Sequence, residues 1–281
     1  MKKLIILAIT IVLAGLPFVQ TVADANTEKN TTKQTKKTTK NKTIKIEYET
    51  QDKFLISANL VYPKTKEKIY PLVVLLHSIG ENSNQWANLP DKLLESGFAV
   101  LKVDLRGHGE SIYNIDLNKK YWQNLSLKAY AKYPSDIAGL LNYVKQEHKN
   151  ISISHYTIVG ADIGASTAIL SSQIMKNKPF ALVLISPQTN FKGLYVPIAL
   201  ADLPSTNILF VYSKLDNKTV KEVKSIKRFA QAQTKEQVYP AGGTGMILLK
   251  NNKDADYDIT NWCADEFNKY IEKITTNKLP Q

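Results

Sequence analysis

YTIVGADIGAS, residues Tyr156 to Ser166, is the stretch whose reading decides the fold. An apolar run containing β-branched residues enters the turn Gly160-Ala161-Asp162-Ile163-Gly164 and leaves it on a helix-forming segment. The chain is therefore expected to pass from strand to helix through one sharp corner. Gly160 and Gly164 suit such a corner, because only small residues let the two backbones approach closely. The side chain thrust out at the corner is that of Asp162.

Working outward toward the N-terminus, alternation of apolar residues at Ile44, Ile46 and Tyr48, then at Phe54, Ile56, Ala58 and Leu60, predicts an antiparallel strand pair. Leu72 to Leu76 is apolar without alternation, as expected of a strand covered on both faces. An amphipathic helix is expected from Asn84 to Ser96, stopped by Gly97, and a strand from Phe98 to Val103. Residues 112–133, rich in Tyr, Asn and Lys, have no clean period and read as a loop or short helix over the site. Pro134 to His148 reads as a helix with Ile137, Leu140, Leu141 and Val144 on one face. Beyond the corner come a helix from Ile163 to Lys176, strands at Ala181–Ile185 and Ile208–Tyr212, a helix over Val220–Gln231, a strand near Gln237 and a C-terminal helix. Such alternation implies a parallel sheet with helices on both faces.

Two further segments carry a family resemblance. VVLLHSIGENSNQW, residues 73–86, followed by VLKVDLRGHGES, residues 100–111, resembles the N-terminal half of the α/β-hydrolase superfamily, in particular its lidless esterase and serine-aminopeptidase-like branch. Ser186-Pro187-Gln188-Thr189-Asn190-Phe191-Lys192-Gly193-Leu194 is similar to that branch's Ser-Pro-Gly-x-x-Tyr-x-Gly-Leu turn. The resemblance covers residues 44–275 and implies an α/β-hydrolase fold, with a mostly parallel sheet of about eight strands, helices on both faces and no cap domain. It makes the Tyr156–Ser166 corner the nucleophile elbow, with Asp162 where a serine is expected. By the same resemblance the triad acid is Asp216, in FVYSKLDNKTV. The histidine position, in Tyr239-Pro240-Ala241-Gly242-Gly243-Thr244-Gly245-Met246, is held by Thr244. The oxyanion-hole N–H groups are those of Ile79 and Ile163. His77 and His108 are expected to hydrogen-bond behind the oxyanion loop, and His148 and His155 to be exposed.

A serine nucleophile needs a base, and the base needs an acid to orient it. Thr244 cannot replace an imidazole, because its hydroxyl does not titrate near neutral pH. The expectation is a catalytically degenerate hydrolase relative that binds a small acyl or peptide-like ligand, or a protein partner, in the old cleft. The competing expectation is an active hydrolase using Asp162 as nucleophile: a carboxylate is already ionised, although hydrolysing the resulting ester still requires an activated water. Asp162 also suits a positive-φ backbone and a helix N-terminus on structural grounds alone. Asp162 and Asp216 facing the gap left by the imidazole could take a cation or an amine, but two carboxylates are few ligands for Ca²⁺. Ser83, Ser166 and Ser213 show no spacing to a lysine that supports a dyad. Neither a cofactor nor a metal site is expected.

The ends read differently from the middle. Lys2 and Lys3, the apolar run Leu4 to Leu16 and Ala23-Asp24-Ala25 have the form of a secretory signal over residues 1–25, with an uncleaved membrane anchor as the alternative. Residues 26–43 read as a Lys/Thr-rich disordered linker and 276–281 as a short tail. Between residues 26 and 45 seven lysines face only Glu28, so this stretch supplies half of the chain's formal charge of +12. It has the composition of a solvated tether, with electrostatic contact to a membrane or cell-wall polymer possible. Aromatic interleaving is absent, which argues against nucleic acid as a partner. The lone Cys263 precludes an internal disulfide and falls on the apolar face of the last helix.

Overall fold

A computed structural model describes residues 41–276. The predicted signal, most of the linker and residues 277–281 lie outside the described residues. The elements run β1 (Thr43–Glu49), β2 (Leu55–Val61), β3 (Tyr70–Leu76), α1 (Leu89–Glu95), β4 (Ala99–Val103), α2 (Leu127–Tyr130), α3 (Tyr133–Glu147), β5 (Ile151–Ala161), α4 (Ile163–Ile174) and β6 (Ala181–Ile185). They continue with β7 (Asn190–Phe191), β8 (Leu194–Tyr195), α5 (Pro197–Ala201), β9 (Asn207–Ser213), α6 (Asn217–Lys227), β10 (Thr234–Tyr239), α7 (Met246–Asn251) and α8 (Ala255–Thr276). Eight strands form one sheet in the order β1-β2-β4-β3-β5-β6-β9-β10. β2 is antiparallel to both its neighbours, and β3, β4, β5, β6, β9 and β10 run parallel.

The apolar run of β3 shows why the centre is parallel and doubly covered. Leu72, Val74 and Leu76 enter one core with α3, α4 and α6, while Val73 and Leu75 enter another with α1, α7 and α8. Cys263 is buried in the second core, as its place on the apolar face of α8 predicts. Between β6 and β9 the chain forms only the small β7–β8 hairpin and the single turn of α5, so no cap domain is inserted there.

Some boundaries differ from the sequence expectation. The helix expected from Asn84 begins at Leu89, because Asn82 accepts the N–H of Asn84, Gln85 accepts that of Asn82, and Pro90 falls in the first turn of α1. β5 starts five residues before Tyr156 and passes through a register shift against β3. His148 and His155 are half-buried rather than exposed; His155 lies edge-on to Tyr270 of α8. Among the described residues, no helix is long and apolar enough to cross a membrane.

Candidate active site

The corner at Asp162 is built by its glycines. A Cβ on Gly160 would lie 2.3 Å from the carbonyl oxygen of Gly164, and one on Gly164 would lie 2.0 Å from that of Leu76. The start of α4 thus rests on the ends of β5 and β3 with no room for a side chain. Asp162 itself sits at φ 55° and ψ −114°, a conformation that side-chain-bearing residues seldom adopt. That strain places its side chain above the C-terminal edge of the sheet.

The loop after β3 is held from below by the DLRGHGES segment. His77 donates from Nδ1 to the Ser78 carbonyl at 2.7 Å and accepts the Leu105 N–H on Nε2 at 3.0 Å. His108 donates to the Arg106 carbonyl and accepts the Gly80 N–H at 3.0 Å. Burial pushes the His77 imidazole down to about 3 and that of His108 to about 4, so both are neutral at physiological pH. Asp104 accepts the N–H groups of Ser83 and Glu110. Arg106 is buried between Asp136 of α3 and Asp52 of the β1–β2 turn, bonding both carboxylates at 2.8–3.0 Å while its guanidinium lies over Phe54. Trp122, in the segment between β4 and α2, stacks on His108 and would contact a Cβ at Gly80. The 112–133 segment therefore packs directly on the oxyanion loop.

Around Asp162 the arrangement departs from a serine hydrolase. The residue is 7% exposed; one carboxylate oxygen accepts the side-chain amide of Gln188 at 2.8 Å, and the other faces the N–H of Ile79 at 3.4 Å. The Gln188 carbonyl in turn accepts Lys218 Nζ at 2.7 Å. Burial pushes the Asp162 carboxyl above the ordinary carboxylate range, and Gln188, the N–H groups of Ile79 and Ile163 and the Lys218 charge offset this only in part. Asp162 stands at the N-terminus of α4 at positive φ, but its carboxylate caps no first-turn N–H deeper in the helix and turns toward Ile79 and Gln188. Asp162 thus faces the Ile79 N–H, one of the two oxyanion-hole donors that the resemblance implies.

Asp216 caps α6, accepting the N–H of Thr219 at 3.0 Å and its hydroxyl at 2.6 Å, and Thr244 Oγ1 donates to the same carboxylate at 2.5 Å. Burial alone would push the Asp216 carboxyl up, but these donors together hold it below its ordinary value. The next residue, Gly245, sits at φ 60° with its Cβ position 3.4 Å from Asp162 Cβ and 2.4 Å from Ser78 Oγ. Its N–H donates to Ser186 Oγ, and the Met246 N–H to Ser78 Oγ. Asp162, Asp216 and Thr244 therefore gather on one edge, with Thr244 bonded to Asp216 and its neighbour against Asp162. No histidine reaches Asp162: both ring nitrogens of His77 and His108 are engaged by backbone, and His148 and His155 flank the N-terminal end of β5. Among the described residues no group of three His, Cys, Asp or Glu side chains could hold a metal ion.

Sequence reasoning missed Gln188 and Lys218. The signal was present, because Gln188 stands where the branch's Ser-Pro-Gly turn has glycine, and only a side chain at that position can reach Asp162.

A family model described as serine aminopeptidase, S33, matches residues 67–244. A probable lipase of Schizosaccharomyces pombe is 31% identical over 156 residues, covering 49% of this chain and 33% of the relative. The chain thus spans about a third of the length of the first curated relatives it matches. Among solved structures, a dienelactone hydrolase from Anabaena variabilis superposes with a TM-score of 0.62 at 16% identity, covering 81% of this chain and 97% of that one. An esterase from Exiguobacterium antarcticum does so with a TM-score of 0.61 at 13% identity, covering 78% and 99%. At these identities the two structures speak to the fold.

Proposed function

The chain belongs to the serine aminopeptidase S33 family of α/β-hydrolases, and from that premise we propose that its site binds an acyl or peptide-like group without cleaving it. The observation that carries this reading is the seat of the Asp162 carboxylate. In a serine hydrolase the oxyanion-hole donors face the oxygen that becomes negative in the transition state. Here the elbow side chain supplies a negative oxygen of its own to Ile79, and Gln188, backed by Lys218, fixes it there. The substitution is matched by its surroundings: Gln188 supplies the bond that holds Asp162, and Thr244 satisfies Asp216, whose imidazole partner is gone.

Chemistry argues in the same direction. Asp162 could attack a carbon without a base, but the ester so formed would persist until water was activated, and no imidazole is placed to do that. Loss of such a base costs about two to four orders of magnitude in rate. The probable lipase among the relatives favours an acyl group as the ligand chemistry, with a peptide-like group or a protein partner as the other occupants of the cleft. The apolar run at residues 4–16, preceded by Lys2 and Lys3, supports action outside the cytoplasm.

The test is hydrolysis of short-chain aryl esters by the natural protein, by Asp162→Asn, and by Asp162→Ser combined with Thr244→His. The expected result is turnover only in the double variant, together with a rise in melting temperature when the natural protein meets a non-hydrolysable amide of the same acyl group. Turnover by the natural protein that vanishes in Asp162→Asn would overturn the proposal in favour of an aspartate nucleophile.

A further inference from the structure

The large apolar side chains left in solvent are unevenly distributed. Among the described residues the four most exposed are Leu215 (73%), Leu117 (72%), Ile198 (66%) and Leu127 (65%). Leu117 and Leu127 lie between β4 and α3, Ile198 opens α5 after β6, and Leu215 lies in the turn from β9 to α6. Because β4, β6 and β9 run parallel, the segments that follow them leave the sheet at the same edge, the one that carries Asp162; α5 turns back along α4, where Asp202 at its end accepts the Gln173 amide, so Ile198 falls away from that edge while Leu117, Leu127 and Leu215 stay on it. Contacts tie the segments together there: Lys192 lies over the Tyr130 ring, and Lys218 reaches Gln188.

Leu117 stands out further. It is held at φ 59° in a tight turn, where Asn118 donates its N–H to the Asn114 side chain and Leu117 donates to the Asn114 carbonyl. Glycine or asparagine takes that conformation at lower cost. The turn instead presents an aliphatic side chain to water.

Charge identifies what the edge faces. Across residues 112–132, 186–201 and 213–218 there are seven lysines and two carboxylates, Asp116 and Asp216, the second of which is already bonded by Thr219 and Thr244. Lys128 and Lys214 immediately adjoin Leu127 and Leu215, and Lys119 and Lys120 follow Leu117. Protein interfaces are depleted in lysine at their cores, whereas aliphatic tips interleaved with lysines suit a lipid headgroup layer: the chains enter the acyl boundary and the ammonium groups stay among phosphates.

We propose that this edge docks on an anionic lipid bilayer, with Leu117, Leu127 and Leu215 entering the interface and the Asp162 site facing the membrane. The inference stands whether or not the site turns over a ligand.

The test places an environment-sensitive fluorophore on Leu117→Cys, Leu215→Cys and, as a control at the far end of α4, Ile174→Cys in the full-length chain. The native Cys263 is buried and does not compete for label. Because the label reports locally, any membrane affinity of the N-terminal apolar run does not confuse the reading. With vesicles of phosphatidylglycerol and phosphatidylcholine, the label at positions 117 and 215 should blue-shift and brighten severalfold while that at 174 stays aqueous; added salt should weaken the response. In a Leu127→Cys reporter, Leu117→Ser plus Leu215→Ser should raise the lipid concentration for half response by about tenfold or more. No response at 117 and 215, an equal response at 174, or a response to an acidic protein but not to vesicles would each overturn the proposal.

Discussion

Replacing Asp162 by Asn tests the electrostatic balance at the centre of the site. Both residues tolerate a positive φ, and the side chains are nearly isosteric, so the change isolates the charge. The carboxylate is almost wholly buried, and removing an ion from water costs several kcal/mol even after relaxation. Against this stand the Gln188 bond at 2.8 Å, the long Ile79 contact at 3.4 Å and smaller contributions from the Ile163 N–H and the Lys218 charge. Hydrogen bonds to charged groups contribute about 1.5–3 kcal/mol each at good geometry, and the second of these falls short of it. Burial therefore wins, in keeping with the upward direction of the Asp162 pKa. In the unfolded chain the group ionises at its ordinary value; in the folded protein it ionises only at higher pH. The folded state thus binds more protons between the two values, and stability falls as pH rises through that window. Asp162→Asn should be more stable than the natural protein by on the order of 1 kcal/mol at pH 8, or roughly 2–4 °C in melting temperature for a domain of this size. The gap should shrink as pH falls into the carboxylate range. Thermal unfolding followed by circular dichroism at pH 8 and pH 5 measures both. An Asn variant that melts lower at pH 8, or a gap independent of pH, would refute the claim that burial dominates at this carboxylate.

Three further outcomes follow from particular contacts. Arg106→Met leaves Asp136 buried without its partner and should cost about 3–5 kcal/mol, lowering the melting temperature by roughly 6–20 °C; a loss below about 1 kcal/mol would show that the pair is not a buried anchor. Gly164→Ala drives a Cβ to 2.0 Å from the Leu76 carbonyl, so soluble expression should be lost or stability should fall by about 3 kcal/mol or more. Native Cys263 should resist thiol reagents until the protein unfolds, and labelling as fast as that of an exposed cysteine would contradict its burial against α8 neighbours.

Much of the architecture was legible because it rests on local signals. The unbroken apolar run of β3 required cover on both faces, and the spacing of Gly160 and Gly164 required a helix start pressed on strand ends. The Asp104–Ser111 segment was legible as a motif, but its mechanics were not. Arg106 reaches Asp52 and Asp136, 54 and 30 residues away, and His108 reaches Gly80, 28 residues back. Such partners meet only once the order β2-β4-β3-β5 is set, and nothing local in the sequence encodes that order. The helix expected from Asn84 failed for the opposite reason: side-chain amides of Asn82 and Gln85 satisfied backbone donors locally, and the periodic apolar pattern could not register that competition.

The same distinction explains why Asp162 was ambiguous as a letter and is less so as a position. An aspartate at an elbow is chemically compatible with nucleophile, ion ligand or cap, and each role requires a different direction of its two oxygens. Those directions are set by residues from three strand ends: Ile79 after β3, Gln188 after β6 and Lys218 after β9. A nucleophile must present a free oxygen to substrate and have a base nearby for the second step. A cation site needs oxygens converging from more than two groups. What the carboxylate has is one oxygen bonded by an amide that is itself held by a lysine, and the other turned to an oxyanion donor. Gln188 is thus the residue on which the proposed role turns. Gln188→Gly would return the turn to the pattern of its branch, release one Asp162 oxygen and remove the link to Lys218, raising the electrostatic cost of the buried charge. On the proposed binding reading, the fixed seat of Asp162 depends on that link.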